Sequence, residues 1–184
     1  RPGAILVNAA RGEILDEAAA LAGRPDLRLV IDCWAGEPVW SQATLQAARI
    51  ATPHIAGYTL EARVGATRLL HGALARHAGR EVPWPLPAPA PPAVATVTAD
   101  EVADPAAGAG RWLLRCYDVR RDAGLRAGLG RPAAERAALF DRLRRELALR
   151  HEFAHQRLRA PRGACAERLR ALGFTVVTGA AAPN

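Results

Sequence analysis

Three short apolar runs, each closed by turn residues, open the chain. Ala4-Ile5-Leu6-Val7 follows Pro2-Gly3, Leu27 to Ile31 follows Pro25 and stops at Asp32, and Ile50-Ala51 precedes Thr52-Pro53. Runs this short and continuous predict strands of a parallel sheet buried on both faces. Between them, residues 14–22 read as a helix ended by Gly23 and Pro25, and Ser41 caps a second helix through Ala48. Strand, helix, strand, helix, strand predicts an α/β chain with a partial doubly wound parallel sheet.

A longer helix is predicted from the cap Thr59 to about His77, with Val64, Leu69, Leu70 and Leu74 as its apolar positions and Gly79 as its stop. Six prolines within residues 83–92 then predict an extended, semi-rigid linker. Beyond it, helices are expected at Gly110–Tyr117, Asp122 to about Ala127, Pro132 to about Leu149 and Ala164–Leu172. Strands are expected at Glu152–Leu158 and Phe174–Val177. Leu139, Phe140, Leu143 and Leu147 share one helix face and are candidates for core or for an interface. The second region therefore reads as a small α+β domain.

Composition narrows the function classes. The net charge is +7, and all 25 basic residues are Arg. Residues 83–184 carry most of the excess, with 16 Arg against 10 acids. The arginines interleave with acids along the predicted helices, the pattern of a solvated face, so nucleic acid is not expected as a partner. No apolar run reaches the about 18 residues of a membrane span. The three cysteines, Cys33, Cys116 and Cys165, lack metal-ligand spacing and read as free thiols of a reducing cytoplasm.

Candidate chemistry sits just after the three predicted strands. The segments are Asn8-Ala9-Ala10-Arg11-Gly12, Asp32-Cys33-Trp34-Ala35-Gly36-Glu37-Pro38 and Thr52-Pro53-His54-Ile55-Ala56-Gly57-Tyr58. Ligands of open parallel sheets bind outside the carboxyl ends of the strands. His54 can take and give a proton near neutrality. Glu37 can orient its imidazole, and Pro38 keeps Glu37 extended. Arg11 presents a planar donor fork suited to a carboxylate. Gly12 is read as permitting a sharp turn. A further pattern, His151-Glu152-Phe153-Ala154-His155, matches the zinc-protease motif. It is set aside, because the segment reads as a strand, where two histidines four residues apart stand too far apart for one zinc.

In this order the segments resemble the NAD-dependent D-2-hydroxyacid dehydrogenase family. The stretch His54–Glu61, with Cys116-Tyr117-Asp118, Phe140-Asp141-Arg142-Leu143-Arg144 and Arg150-His151-Glu152, resembles a member of it with an added dimerisation domain. The resemblance implies a Rossmann-like sheet in residues 1–82 together with a crossover helix, a linker at 83–95 and a dimerisation domain at 96–184. It implies Arg11, Glu37 and His54 as catalytic residues. Ala9, Ala10, Arg11, Asp32 and Gly57 would meet the cofactor NAD, and Tyr58 the substrate, a small phosphorylated 2-hydroxy acid. It implies a homodimer with no membrane partner. Residues 1–60 hold no Gly-x-Gly-x-x-Gly after a strand. The expectation is thus a C-terminal portion that binds NAD poorly and does not catalyse alone. Two alternatives stay open: a dehydrogenase of another 2-hydroxy acid, and a non-catalytic Arg-rich dimeric binding module.

Overall fold

The computed structural model describes residues 1–179. Its elements in chain order are β1 (Ile5–Asn8), α1 (Glu17–Gly23), β2 (Arg28–Ile31), α2 (Gln42–Ala47), β3 (Ile50–Ala51) and α3 (Leu60–His77). There follow β4 (Ala95–Thr96), α4 (Ala99–Ala103), α5 (Pro105–Cys116), α6 (Ala133–Arg145), β5 (Arg157–Ala160), α7 (Ala164–Ala171) and β6 (Thr175–Thr178). The chain forms two compact units. One comprises residues 1–56 with 118–148, the other residues 57–117 with 149–179.

In the first unit β1, β2 and β3 form a parallel sheet in that order, with Leu6 beside Leu29 and Val30 beside Ile50. Helices α1 and α2 make the two crossovers and pack on each other. Both have the side-chain caps their sequences call for: Asp16 accepts from the Ala19 N–H at 2.9 Å, and Ser41 from the Thr44 N–H at 3.2 Å. One face of the sheet is buried, with Leu29 and Ile31 at its centre. The other is open, and Ile5 and Val7 are 65% and 62% exposed. The apolar run of β1 is therefore not buried on both faces as predicted, because β1 is the edge strand and only one face is covered.

The core beneath the covered face joins Leu29, Ile31, Trp34, Trp40, Leu45 and Ala51 to Leu125 and Phe140 from the later segment. Leu139 and Phe140 of α6 are thereby core residues. Gly128 lets this segment approach, since a Cβ there would stand 2.8 Å from the Trp40 ring. Arg126 donates to the carbonyls of Leu45 at 3.2 Å and Ala48 at 2.6 Å, satisfying carbonyls at the C-terminal end of α2.

The second unit is built on a parallel sheet of β4, β5 and β6, covered by α5 and α7 around Val97, Trp112, Leu158, Leu169 and Phe174. The two expected strands pair with each other, Leu158 beside Val176. Ala95–Thr96 adds a third that was not expected. The strand predicted at Glu152–Leu158 is displaced: Phe153–His155 is a 3-10 turn and β5 starts at Arg157. Phe153 turns inward to stack on Phe174, with ring centroids 5.0 Å apart. Helix α5 begins at Pro105 rather than Gly110. Its Gly108 passes α4 so closely that a Cβ would stand 2.1 Å from the Glu101 carbonyl oxygen. The region 119–128 is two 3-10 turns rather than one helix.

Helix α3 starts at its Thr59 cap as predicted, with the Thr59 hydroxyl accepting from the Ala62 N–H at 3.1 Å. None of its residues is buried, and Leu69, Leu70 and Leu74 are 76%, 73% and 69% exposed. Among the described residues no helix is long and apolar enough to cross a membrane.

Candidate active site

Because β1, β2 and β3 are parallel, the three loops that leave their carboxyl ends emerge on one edge of the sheet. They are the loops that carry Arg11, Glu37 and His54. His54 Nδ1 lies 2.5 Å from Glu37 Oε1, and both side chains are about three-quarters buried. The carboxylate fixes the ring at Nδ1 and leaves Nε2 for proton transfer, as an orienting acid does for a catalytic imidazole.

The backbone at His54 is unusual. Its φ is +54°, the sole positive value at a non-glycine among the described residues. A non-glycine residue in the left-handed region stores about 1–3 kcal/mol and persists only where its surroundings enforce it. Here Asp32 enforces it. Its carbonyl accepts from the His54 N–H at 2.8 Å. Its buried carboxylate accepts from the Thr52 hydroxyl at 2.6 Å and the Ile55 N–H at 2.7 Å through Oδ1, and from the Ala56 N–H at 3.0 Å through Oδ2. The strand-end acid thus ties down the whole histidine loop.

Two other buried polar side chains lace the remaining loops. Asn8 donates to the carbonyls of Arg11 at 2.9 Å and Cys33 at 3.1 Å, and accepts from the Ala10 N–H at 3.2 Å. Glu17 accepts from the Ala35 N–H at 2.7 Å. The turn it meets is closed by Glu37 itself, whose Oε2 accepts from the Trp34 N–H at 3.2 Å. Gly12 serves a different purpose from the sharp turn expected of it. Its φ is not positive, and a Cβ would stand 2.0 Å from the Trp34 carbonyl oxygen, so glycine is needed for close backbone approach.

Arg11 is exposed, with extended backbone, and its guanidinium donates to the Ala10 carbonyl at 2.6 Å. Ala9 and Ala10 are exposed at the end of β1. Cys33 is buried between these loops. Burial, followed by the charges of Asp32 and Glu37, pushes its thiol up to about 11, so it is no nucleophile. The structure brings Asp32, Glu37 and His54 into one hydrogen-bonded group and sets Arg11 on the adjacent loop. Gly57 and Tyr58 fall in the second unit, where the Arg63 guanidinium carbon lies 5.6 Å from the Tyr58 ring centre.

The zinc-protease motif is used otherwise. His151 Nδ1 is hydrogen-bonded to Glu61 Oε1, the Glu152 N–H donates to Glu61 Oε2 at 2.9 Å, and the Thr59 hydroxyl donates to Glu152 at 2.9 Å. These bonds fasten residues 150–152 to the start of α3. Among the described residues no three His, Cys, Asp or Glu side chains are grouped to hold a metal ion.

No protein-family model matches the chain. Curated relatives do. An erythronate-4-phosphate dehydrogenase of Stutzerimonas stutzeri is 41% identical over 158 residues, covering 83% of this chain and 42% of the relative. The protein of that name from Edwardsiella ictaluri is 40% identical over 177 residues, covering 94% and 46%. That from Pseudomonas putida is 37% identical over 184 residues, covering 96% and 48%. The chain spans somewhat less than half the length of these relatives. Nearly the whole length of the chain is thus similar, at 37–41% identity, to somewhat less than half of proteins named erythronate-4-phosphate dehydrogenase.

Proposed function

We propose that this chain carries the catalytic residues of an NAD-dependent dehydrogenase that oxidises 4-phospho-D-erythronate to the 2-oxo acid, a step in making pyridoxal phosphate. The observation that carries the reading is the Glu37–His54 pair at the carboxyl edge of a parallel sheet, next to Arg11, in a chain matched by enzymes of that name.

The chemistry follows from the geometry. The substrate's C2 hydroxyl gives its proton to Nε2 of His54, and Glu37 at Nδ1 stabilises the imidazolium that forms. Arg11 pairs with the C1 carboxylate through its planar fork and polarises the C2 oxygen, and it stays charged in either direction of reaction. The acceptor for the hydride leaving C2 would be supplied by NAD when bound. The residues fit its nicotinamide end. Ala9 and Ala10 are small and exposed, and a Cβ on Gly57 would meet nothing within 4 Å. Tyr58 contacts the substrate. The dimer is formed by residues from about 96 onward, and the enzyme works in the cytoplasm.

The test is NADH formation by the gene product that carries this chain, with 4-phospho-D-erythronate and with D-glycerate. The reading expects kcat/KM for the phosphorylated acid to exceed that for glycerate by at least about 100-fold, since a site built for a charged group rejects acids lacking it. Equal rates would make the substrate another 2-hydroxy acid.

A further inference from the structure

Glu17 is the least expected charge in the first unit. It is only 4% exposed, at the first turn of α1, where a carboxylate is favoured by the helix dipole. One of its oxygens accepts from the Ala35 N–H at 2.7 Å. The other, Oε2, is buried with no hydrogen-bond partner among the described residues. A half-satisfied buried carboxylate is a poor stabilising device, and an apolar side chain of like volume would serve the core better. Its single bond falls on the turn that aims Glu37. Ala35 is flanked by Trp34, whose N–H is bound by Glu37 Oε2, and by Gly36, whose φ is +75°. The Glu37 N–H closes the turn on the Trp34 carbonyl at 3.4 Å, a long bond that holds little by itself.

We propose that Glu17 is a positioning residue that acts through Glu37: by pinning Ala35 it sets the turn from Trp34 to Glu37, and so the contact of Glu37 with His54. The inference rests on the reading of Glu37 and His54 given above. Glu17 touches neither of them. Its effect is on the geometry of the pair, so it belongs in the turnover step rather than in substrate binding.

Two variants separate position from mere packing. Glu17→Gln keeps an acceptor for the Ala35 N–H. Glu17→Met fills the same space, removes the orphan oxygen and leaves that N–H without its acceptor. In the gene product that carries this chain, Glu17→Met should lower kcat about 10- to 100-fold, the cost of a misplaced catalytic group, with KM for the 2-hydroxy acid within about twofold. Glu17→Gln should retain most of the turnover. Thermal unfolding of Glu17→Met should come no earlier than that of the parent, which a purely structural role would not allow. A second readout needs no activity. In protein labelled with 15N-histidine, the downfield Nδ1–H resonance of His54 bonded to Glu37 should broaden or vanish in Glu17→Met and persist in Glu17→Gln. An unchanged resonance and an unchanged kcat in Glu17→Met would overturn the proposal. Full turnover in Glu37→Gln would instead remove the pair from the reaction, and the resonance alone would then decide whether Glu17 positions it.

Discussion

Replacing Asp32 by Ala should cost far more than replacing it by Asn. The carboxylate accepts three donors from the histidine loop, two of them on Oδ1. Removing it takes this acceptor from the Thr52 hydroxyl and the Ile55 N–H, in residues only 4% and 1% exposed, whereas Ala56 is exposed and can turn to water. Each buried donor left unmade costs about 1–3 kcal/mol, so the direct loss is about 2–6 kcal/mol. Relaxation of the left-handed backbone at His54 returns about 1 kcal/mol of stored strain. The expected net destabilisation is therefore about 1–5 kcal/mol. In Asp32→Asn the amide oxygen keeps both buried donors, and the amide NH2 opposes the Ala56 N–H and the Cys33 thiol, 3.9 Å from Oδ2. The expected cost is about 1 kcal/mol. Urea unfolding followed by tryptophan fluorescence measures both, with an unchanged m-value as the condition for comparison. An Ala variant within about 0.5 kcal/mol of the parent would refute the claim that this acid holds the loop, since that is the range of an ordinary surface change.

Gly12→Ala forces a methyl to within 2.0 Å of the Trp34 carbonyl oxygen, so the two loops must part; a loss of about 1–3 kcal/mol in urea unfolding is expected, and wild-type stability would refute the close approach. Burial raises Glu61, but its hydrogen bonds from His151 and the Glu152 N–H outweigh that and hold it below the ordinary glutamate value. A lowered carboxylate contributes stability that is complete above its unfolded pKa of about 4.3 and is lost as pH falls through the folded value. Glu61→Gln should therefore flatten the acid limb of a stability-versus-pH curve. Cys33 is buried with its thiol up at about 11, and burial also raises Cys116 and Cys165. A thiol reagent at neutral pH should react slowly with native protein and with three thiols after unfolding in urea; fast native labelling of Cys33 would contradict its packing.

The first sheet was legible because its strands are apolar runs and Ser41 caps α2, while the cap of α1, Asp16, fell inside the helix expected at residues 14–22. The candidate residues were legible as types: a His, a Glu and an Arg, each just past a strand. What ties them together was not. Asn8, Glu17 and Asp32 each act across loops some 18 to 25 residues apart in sequence, and periodicity carries no trace of such a bond. Nor does it show that His54 adopts a left-handed backbone, which only its tertiary setting imposes. In the second unit, Ala95–Thr96 is too short to signal a strand. At residues 152–160 the true alternation is Arg157, Leu158, Arg159, Ala160, exposed and buried in turn. Phe153 draws the preceding residues into a turn by packing on Phe174. The helix expected from Gly110 begins at Pro105, and its Gly108 passes close to the Glu101 carbonyl.

The Glu37–His54 pair is the proposed proton relay of the hydride transfer. The decisive measurement is kcat for NAD reduction by 4-phospho-D-erythronate in the gene product that carries this chain, beside His54→Ala with its fold checked by circular dichroism. The account predicts a fall of at least about 100-fold in the variant, the usual contribution of a positioned general base. A folded His54→Ala protein that turns over at the parent rate would contradict it.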